Sequence, residues 1–390
     1  MYQLINKIMP YPWGSTDGIS HVTGTANPTG EPMAEMWMGA HPKGSSTVLT
    51  EDGEIPLNEF INNNSAKILG DYYVWEYGQT LPYLFKILSA AQPLSIQVHP
   101  TLPMAIEGYA KEEEKNIDVL APNRNYKDPN HKPEMMLALT TFYGLCGFRP
   151  MEEIQADLSE LDLENNKEIK ALHTALLSGG YKGLVQQLLS FDDKQSADLI
   201  SSVVASCQKK SDELFKWVLK VHNFFPNDTG LLYPLILNLV QLEPGEALFL
   251  QPGILHAYLE GTGLELMANS DNVLRCALTS KHIDPPELIK NTIFESYLPR
   301  PLPFDQEGPV TSFKSPSKEF QLSKVDINSE WEMTKISGPV ICLVTEGELD
   351  FSNNKKTIHL NKGETLLLAP FDGPVSITGQ GVFYRAAIQH

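Results

Sequence analysis

Cysteine is scarce in this chain: four residues, Cys146, Cys207, Cys276 and Cys342, lie far apart and form no CxxC pair. That spacing excludes a disulfide framework and a thiolate zinc site, and makes a reducing compartment the default. Long apolar runs are also missing, with no stretch of 18 apolar residues, and residues 1–12 lack the basic-then-apolar pattern of a leader. A cytoplasmic protein is expected. Positive charge is in deficit, 30 Lys and Arg against 48 Asp and Glu for a net charge of −18. Such a surface repels phosphate backbones and anionic headgroups, so neither nucleic acid nor membrane is expected as a partner. A 20% charged and 42% hydrophobic composition is ordinary for a globular protein and leaves no room for extensive disorder, collagen or coiled coil. At roughly 150 residues per domain, 390 residues predict two or three domains.

The fold class expected is mainly β with a helical insertion. Residues 1–150 carry short apolar runs punctuated by Gly and Pro, among them Leu81 to Leu88 and Leu94 to His99. Residues 151–224 change period: Met151-Glu-Glu-Ile opens a helical pattern after Pro150, and Leu214, Trp217, Val218 and Val221 recur at i, i+3, i+4, i+7. Beyond Leu235 the β pattern returns and the chain repeats itself. Leu242-Glu-Pro-Gly245-Glu246-Ala-Leu248-Phe-Leu250-Gln-Pro252 aligns with Leu360-Asn-Lys-Gly363-Glu364-Thr-Leu366-Leu-Leu368-Ala-Pro370. A Gly-Glu turn followed by an alternating strand and a stopping Pro is the hairpin-rich pattern of an antiparallel barrel or jelly roll, and two copies predict two barrels. Tyr297 to Pro303, with three prolines, reads as an extended linker between them. The expected organisation is therefore 1–150 with 225–296 as one barrel, 151–224 as the helical insertion, and 297–390 as linker and second barrel. After Pro252 comes Gly253-Ile-Leu-His256, whereas Phe371-Asp-Gly-Pro-Val375 after Pro370 has no His, so only the first barrel can hold a metal at that point.

Candidate chemistry gathers in three places. In Pro93-Leu-Ser95-Ile-Gln97-Val-His99-Pro100 the period of two puts Ser95, Gln97 and His99 on one face, and Leu94, Ile96 and Val98 on the other. Gln97 and His99 can reach one ion, or form an ordinary polar face in water. Tyr126-Lys-Asp128-Pro-Asn130-His131-Lys132-Pro-Glu134 packs cations, carboxylates and a His around two prolines. It is either a solvated loop or a site, with His131 and Glu134 as donors and Met135 to Leu139 as the buried strand behind them. His256 alone at a strand end proves little. Arg275, flanked by Leu274 and Cys276, must find a partner: a substrate anion, or internally Asp271 or Glu265. Lys86 shares a strand face with Leu84 and Leu88, where burial would lower its pKa toward base duty, or it snorkels to the surface.

These residues resemble the signatures of the type I phosphomannose isomerases. Tyr126-x-Asp128-x-Asn130-His131-Lys132-Pro133-Glu134 is similar to one, and His256-Ala-Tyr258 through Glu265-x-Met267-Ala268-x-Ser270-Asp271-Asn272 to Arg275 to the second. The likeness extends to Tyr11-x-Trp13-Gly14 and to Trp37-Met-Gly39-Ala-His41-Pro42, and departs at Cys276-Ala277-Leu278-Thr279-Ser280-Lys281, where the family has Ala-Gly-x-Thr-Pro-Lys.

The resemblance implies two cupin-type jelly-roll barrels, with one zinc per chain held by Gln97, His99, Glu134 and His256. It implies interconversion of mannose 6-phosphate and fructose 6-phosphate through a cis-enediol, hence a base and positive groups beside the oxygen that gains charge. Arg275 and Lys132 are the expected cations, and Lys86, Glu265, Lys132 and His131 the candidate bases. A sugar phosphate is the expected partner of what is expected to be a monomer. Two rivals share the barrel: a metal-dependent cupin oxygenase, and a non-catalytic sugar-phosphate-binding cupin.

Overall fold

The strand Tyr83–Ala90 is buried from end to end, and the first of two antiparallel sheets is built around it. The computed structural model describes residues 1–161 and 164–389, so Asp162, Leu163 and His390 lie outside the described residues of the expected helical and C-terminal segments. Tyr83–Ala90 pairs with Glu35–Met38 on one side and with the long strand His256–Ala268 on the other. His256–Ala268 also pairs with Glu134–Ala138, Phe142–Phe148 and, at His256, with Ile96–Val98. One long strand thereby collects the neighbours that carry the candidate donors.

Alternation gives this sheet two buried faces of opposite character. Phe85, Ile87, Leu264, Leu266, Met135 and Leu137 pack against Leu322, Ile341, Leu343, Leu367 and Tyr384 of the second sheet. Lys86, Glu265 and Glu134 alternate with them and are almost as thoroughly buried. A polar face enclosed this way must satisfy itself internally or hold a charged guest.

The second sheet centres on Val340–Ser352 paired along its length with Val375–Ala387. Its own core includes Val325, Cys342, Val344, Phe351, Leu366 and Phe383. Three strands come from the beginning of the chain: Tyr2–Ile5 pairs with Thr365–Leu368 and with Thr47–Thr50, which pairs with Gly53–Pro56. Residues 1–150 thus serve both sheets. Nothing local in those short strands announces it.

The repeated Gly-Glu motif forms the same turn twice, for a readable reason. Gly245 and Gly363 have φ of 92° and 88°, which favours glycine. The following glutamates reach back to accept backbone N–H bonds, Glu246 from Glu243 at 2.9 Å and Glu364 from Asn361 at 2.7 Å. The turn does not close a simple hairpin, however. Leu237–Leu242 pairs with Phe142–Phe148 whereas Ala247–Leu250 pairs with Glu134–Ala138, so the first copy carries the chain between different strand partners.

Helices fill residues 151–224 as expected: Met151–Ser159, Lys167–Ser190 with a break at Gly180, Asp193–Cys207 and Glu213–Phe224. Phe215, Trp217, Val218 and Val221 join Ile96, Val98, Leu274 and Cys276 in one core, so the helices brace the strands behind the candidate site. His173 and His222 belong to these helices, away from the clustered donors. His222→Ala should therefore leave bound metal unchanged by elemental analysis. Metal loss in that variant would relocate the centre.

Candidate metal centre

Three elements deliver three donors to one point. His99 follows Ile96–Val98, whose Ile96 and Val98 side chains are fixed in the helix-backed core. Leu94, expected on the same apolar face, precedes the strand and packs instead with Tyr258 and Met136. Glu134 opens its strand, in register with Leu250 and Met267, and His256 opens the strand opposite Gln97 and Cys146. The ligand atoms of His99, Glu134 and His256 all lie within 4.8 Å of one another.

Hydrogen bonding sets the imidazoles to face inward as acceptors. His99 Nδ1 donates to the Asn272 carbonyl at 2.7 Å, and His256 Nδ1 donates to that of Ile254 at 2.9 Å. In a neutral ring the other nitrogen then carries a lone pair. Those two Nε2 atoms stand 3.3 Å from the Glu134 oxygens. His99 Nε2, His256 Nε2 and Glu134 Oε2 are buried without a hydrogen-bond partner. Lone pairs aimed at a carboxylate repel it, unless a cation sits among them. Burial, opposed by Glu134 and aided by Lys132, lowers the His99 pKa to about 4, which keeps the ring neutral and ready to ligate. Two imidazoles and a carboxylate therefore fit a divalent metal.

The two long signatures interlock around these ligands. Asn272 is fully buried, and its side chain accepts from Lys127 N at 2.6 Å and donates to the carbonyls of Asp128 at 2.7 Å and Asn130 at 2.8 Å. Asp128 in turn accepts from the Ser270 hydroxyl and from Asp271 N, both at 2.8 Å. This lattice holds the carbonyl that orients His99. Asn272→Ala should weaken metal binding by about 10–100-fold, as losses of outer hydrogen bonds do, while leaving every ligand in place. A competition titration with a chelating dye measures it. Unchanged affinity would make the lattice purely a loop staple.

Beside the metal donors runs a buried charge network. Lys86 Nζ lies 2.7 Å from Glu265 and 3.7 Å from Glu35, and sits over the Trp37 ring. Lys132 Nζ is 3.2 Å from Glu134 Oε1. Burial by itself would lower the Lys86 pKa, which was the sequence expectation, but the carboxylates of Glu265 and Glu35 outweigh it and hold the ammonium above its ordinary range. Burial, resisted by Lys86 and reinforced by Glu134 and Glu35, pushes the Glu265 carboxyl up. Lys86 is thus a locked cation, and Glu265 a carboxyl of raised basicity. Glu35 was missed from the sequence because its link to Lys86 crosses two strands.

Arg275, Gln97 and His256 occupy one row across three strands. Cross-strand partners face the same way, so Gln97 and Arg275 border the centre. Arg275 is half-buried, burial lowers its pKa, and neither internal partner considered for it is available. Asp271 pairs with Lys43 at 2.8 Å and His41 at 3.4 Å, while Glu265 is taken by Lys86. Lys281 lies near enough that Arg275 helps lower its pKa, after burial itself. In the sequence that neighbour matches the closing Lys of the family pattern after Arg275, and was not singled out as a site residue. His131, a sequence candidate for ligand and base, turns away: its Nε2 meets Glu319 Oε1 at 2.7 Å.

Comparison with known proteins agrees with this geometry. Residues 1–151 match the model of the phosphomannose isomerase type I catalytic domain, and residues 309–388 that of the mannose-6-phosphate isomerase cupin domain. The mannose-6-phosphate isomerase of Escherichia coli (strain K12) is 36% identical over 398 residues, covering 99% of each chain. Its Homo sapiens counterpart is 30% identical over 407 residues, covering 94% of this chain and 93% of its own. A zinc-bound holo structure of mannose 6-phosphate isomerase superposes with a TM-score of 0.92 at 36% identity, covering 100% of this chain and 99% of its own. Mainly antiparallel β structure with helices, three converging donors and similarity along the whole length place the chain in the type I phosphomannose isomerase family.

Proposed function

We propose that this chain is a zinc-dependent aldose–ketose isomerase that interconverts mannose 6-phosphate and fructose 6-phosphate through a cis-enediol. The observation that carries the reading is the trio of orphaned ligand atoms on His99, Glu134 and His256, with both Nδ1 atoms already committed as donors. Gln97, in register with His256, is assigned as the fourth ligand. A bound zinc supplies Lewis-acid polarisation of a substrate oxygen.

The chain's own residues divide the remaining work. Glu265, whose carboxyl is pushed up, takes and returns the proton between C1 and C2. Lys86 holds Glu265 in place and keeps a positive charge in the pocket. Lys132 adds a second cation beside Glu134, and Arg275 opposes the charge of the enediolate or phosphate. An acidic surface makes such internal cations necessary for an anionic substrate, since the overall field repels it.

Residues 1–150 with 225–296 are read as a catalytic cupin barrel, 151–224 as its helical insertion, and 297–390 as linker and a second cupin barrel without metal ligands. The three strands that residues 1–56 lend to the second sheet modify that division. A monomer in the cytoplasm is the proposed setting; the four buried free thiols support the reducing compartment.

A coupled assay for fructose 6-phosphate formed from mannose 6-phosphate, run with and without chelator, tests the proposal. Turnover that chelation abolishes and zinc restores is the expected result. Oxygen consumption, or activity indifferent to chelation, would sink it.

A further inference from the structure

The second sheet contains a concavity of its own, whose lining includes none of the metal donors. It has a volume of ≈ 220 Å³ and is lined by Gln321, Ser323, Lys335, Ser337, Val340 and Arg385, among others. We propose that this cleft binds a small oxyanion, phosphate or carboxylate, with Arg385 as its anchoring cation.

The position of Arg385 is the argument. It lies inside the long strand Val375–Ala387, in register with Ser323 on one side and Cys342 on the other. Cross-strand partners share a face, and Cys342 belongs to the buried apolar core of this sheet with Val340 and Phe383. An apolar side chain would serve such a core position, and a guanidinium there demands a partner. None of the ion pairs among the described residues supplies a carboxylate to it. The guanidinium instead lies over the Trp331 ring, 5.5 Å from its centroid to the guanidinium carbon. Stacking on an aromatic covers one face of the fork and leaves its N–H edge free for a planar, bidentate acceptor. Burial lowers its pKa without offsetting help from any Asp or Glu.

The rest of the lining suits the same guest. Lys335 is exposed at the rim and adds a second cation, whereas Gln321 and Ser337 are neutral and half-buried. Two cations around one hollow stand out in a chain of net charge −18. The hollow is smaller than the roughly 300–1,000 Å³ of sites for drug-sized molecules, which restricts it to a compact ligand. Among the described residues its lining has no histidine and no carboxylate, so an anion suits it and a metal does not.

Trp331 provides a local reporter. Metal-loaded protein would be titrated with inorganic phosphate and, separately, with malonate while tryptophan fluorescence is followed. Trp331→Phe identifies the part of the signal that comes from the cleft rather than from the metal-centre side. A saturable Trp331 response to at least one anion is expected, with affinity at least tenfold weaker in Arg385→Gln. A response to phosphate alone assigns a phosphoryl ligand, and one to malonate alone a carboxylate. Should Arg385→Gln fail to fold, Lys335→Glu reverses a rim charge on an exposed side chain and must weaken binding likewise. Silence toward both anions in the unmodified protein overturns the proposal, as does unchanged affinity in folded Arg385→Gln or in Lys335→Glu.

Discussion

Replacing His256 or Glu134 by alanine is expected to empty the metal centre and to lower isomerase turnover by about a thousandfold or more. Each substitution removes one of three donors that meet within 4.8 Å, and leaves a tetrahedral ion only two of them beside the neutral amide of Gln97. Lewis-acid stabilisation is worth several kcal/mol of transition-state charge, and about 4 kcal/mol corresponds to that factor. The fold should survive. The ligands stand on strands anchored by apolar cores of their own, unlike those of a small zinc finger that folds around its ion. Elemental analysis, a thermal melt and the coupled assay together decide it. His359→Ala is the control: that imidazole is exposed in the second sheet, bonded to Asp350 at 2.9 Å, and its loss should leave the metal in place. Full occupancy in both His256→Ala and Glu134→Ala would refute the assignment.

Arg275→Ala is expected to reduce turnover on the order of a hundredfold or more while the protein stays folded and metal-loaded. Were the guanidinium an internal partner, its loss would strand a buried carboxylate and cost about 3–5 kcal/mol of stability. The carboxylates that could have played that part are engaged elsewhere, Asp271 with Lys43 and Glu265 with Lys86. Arg275 instead shares a face with Gln97 and His256. Losing a cation that acts on developing charge lowers the rate without unfolding the chain. Arg275→Lys should recover little, because one ammonium does not reproduce a planar fork. Near-normal turnover in a metal-loaded Arg275→Ala protein would remove this residue from the mechanism. A large drop in melting temperature would restore the internal pairing.

Much of the secondary structure was legible in one dimension, since local patterns carry local physics, whereas the metal trio was reached through the family resemblance. The 3.6-residue period of Leu214, Trp217, Val218 and Val221 marked a helix, and the structure has Glu213–Phe224 there. The Gly-Glu repeat marked two like turns, because a left-handed glycine and a glutamate capping the residue three before it are sequence-local devices. Glu134 and His256 stood in long motifs whose polar residues, Asp128 and Asn272 among them, turn out to bond to one another, whereas His99 stood in a short Q-x-H strand that only the family resemblance marked as a ligand.

The remainder was decided by which strands became neighbours. Whether Lys86 would be a depressed base or a locked cation depended on Glu35 and Glu265 arriving from the strands on either side, and their charges outweigh the burial that the sequence did reveal. His131 left the metal site because Glu319, far along the chain, came within 2.7 Å of it. Tyr2–Ile5 joined the second sheet through a pairing with Thr365–Leu368 that no short-range pattern encodes. Periodicity, turn chemistry and donor type follow from a residue and its near neighbours. Register across a sheet, and the electrostatics it creates, follow from burying the apolar faces of the whole chain at once.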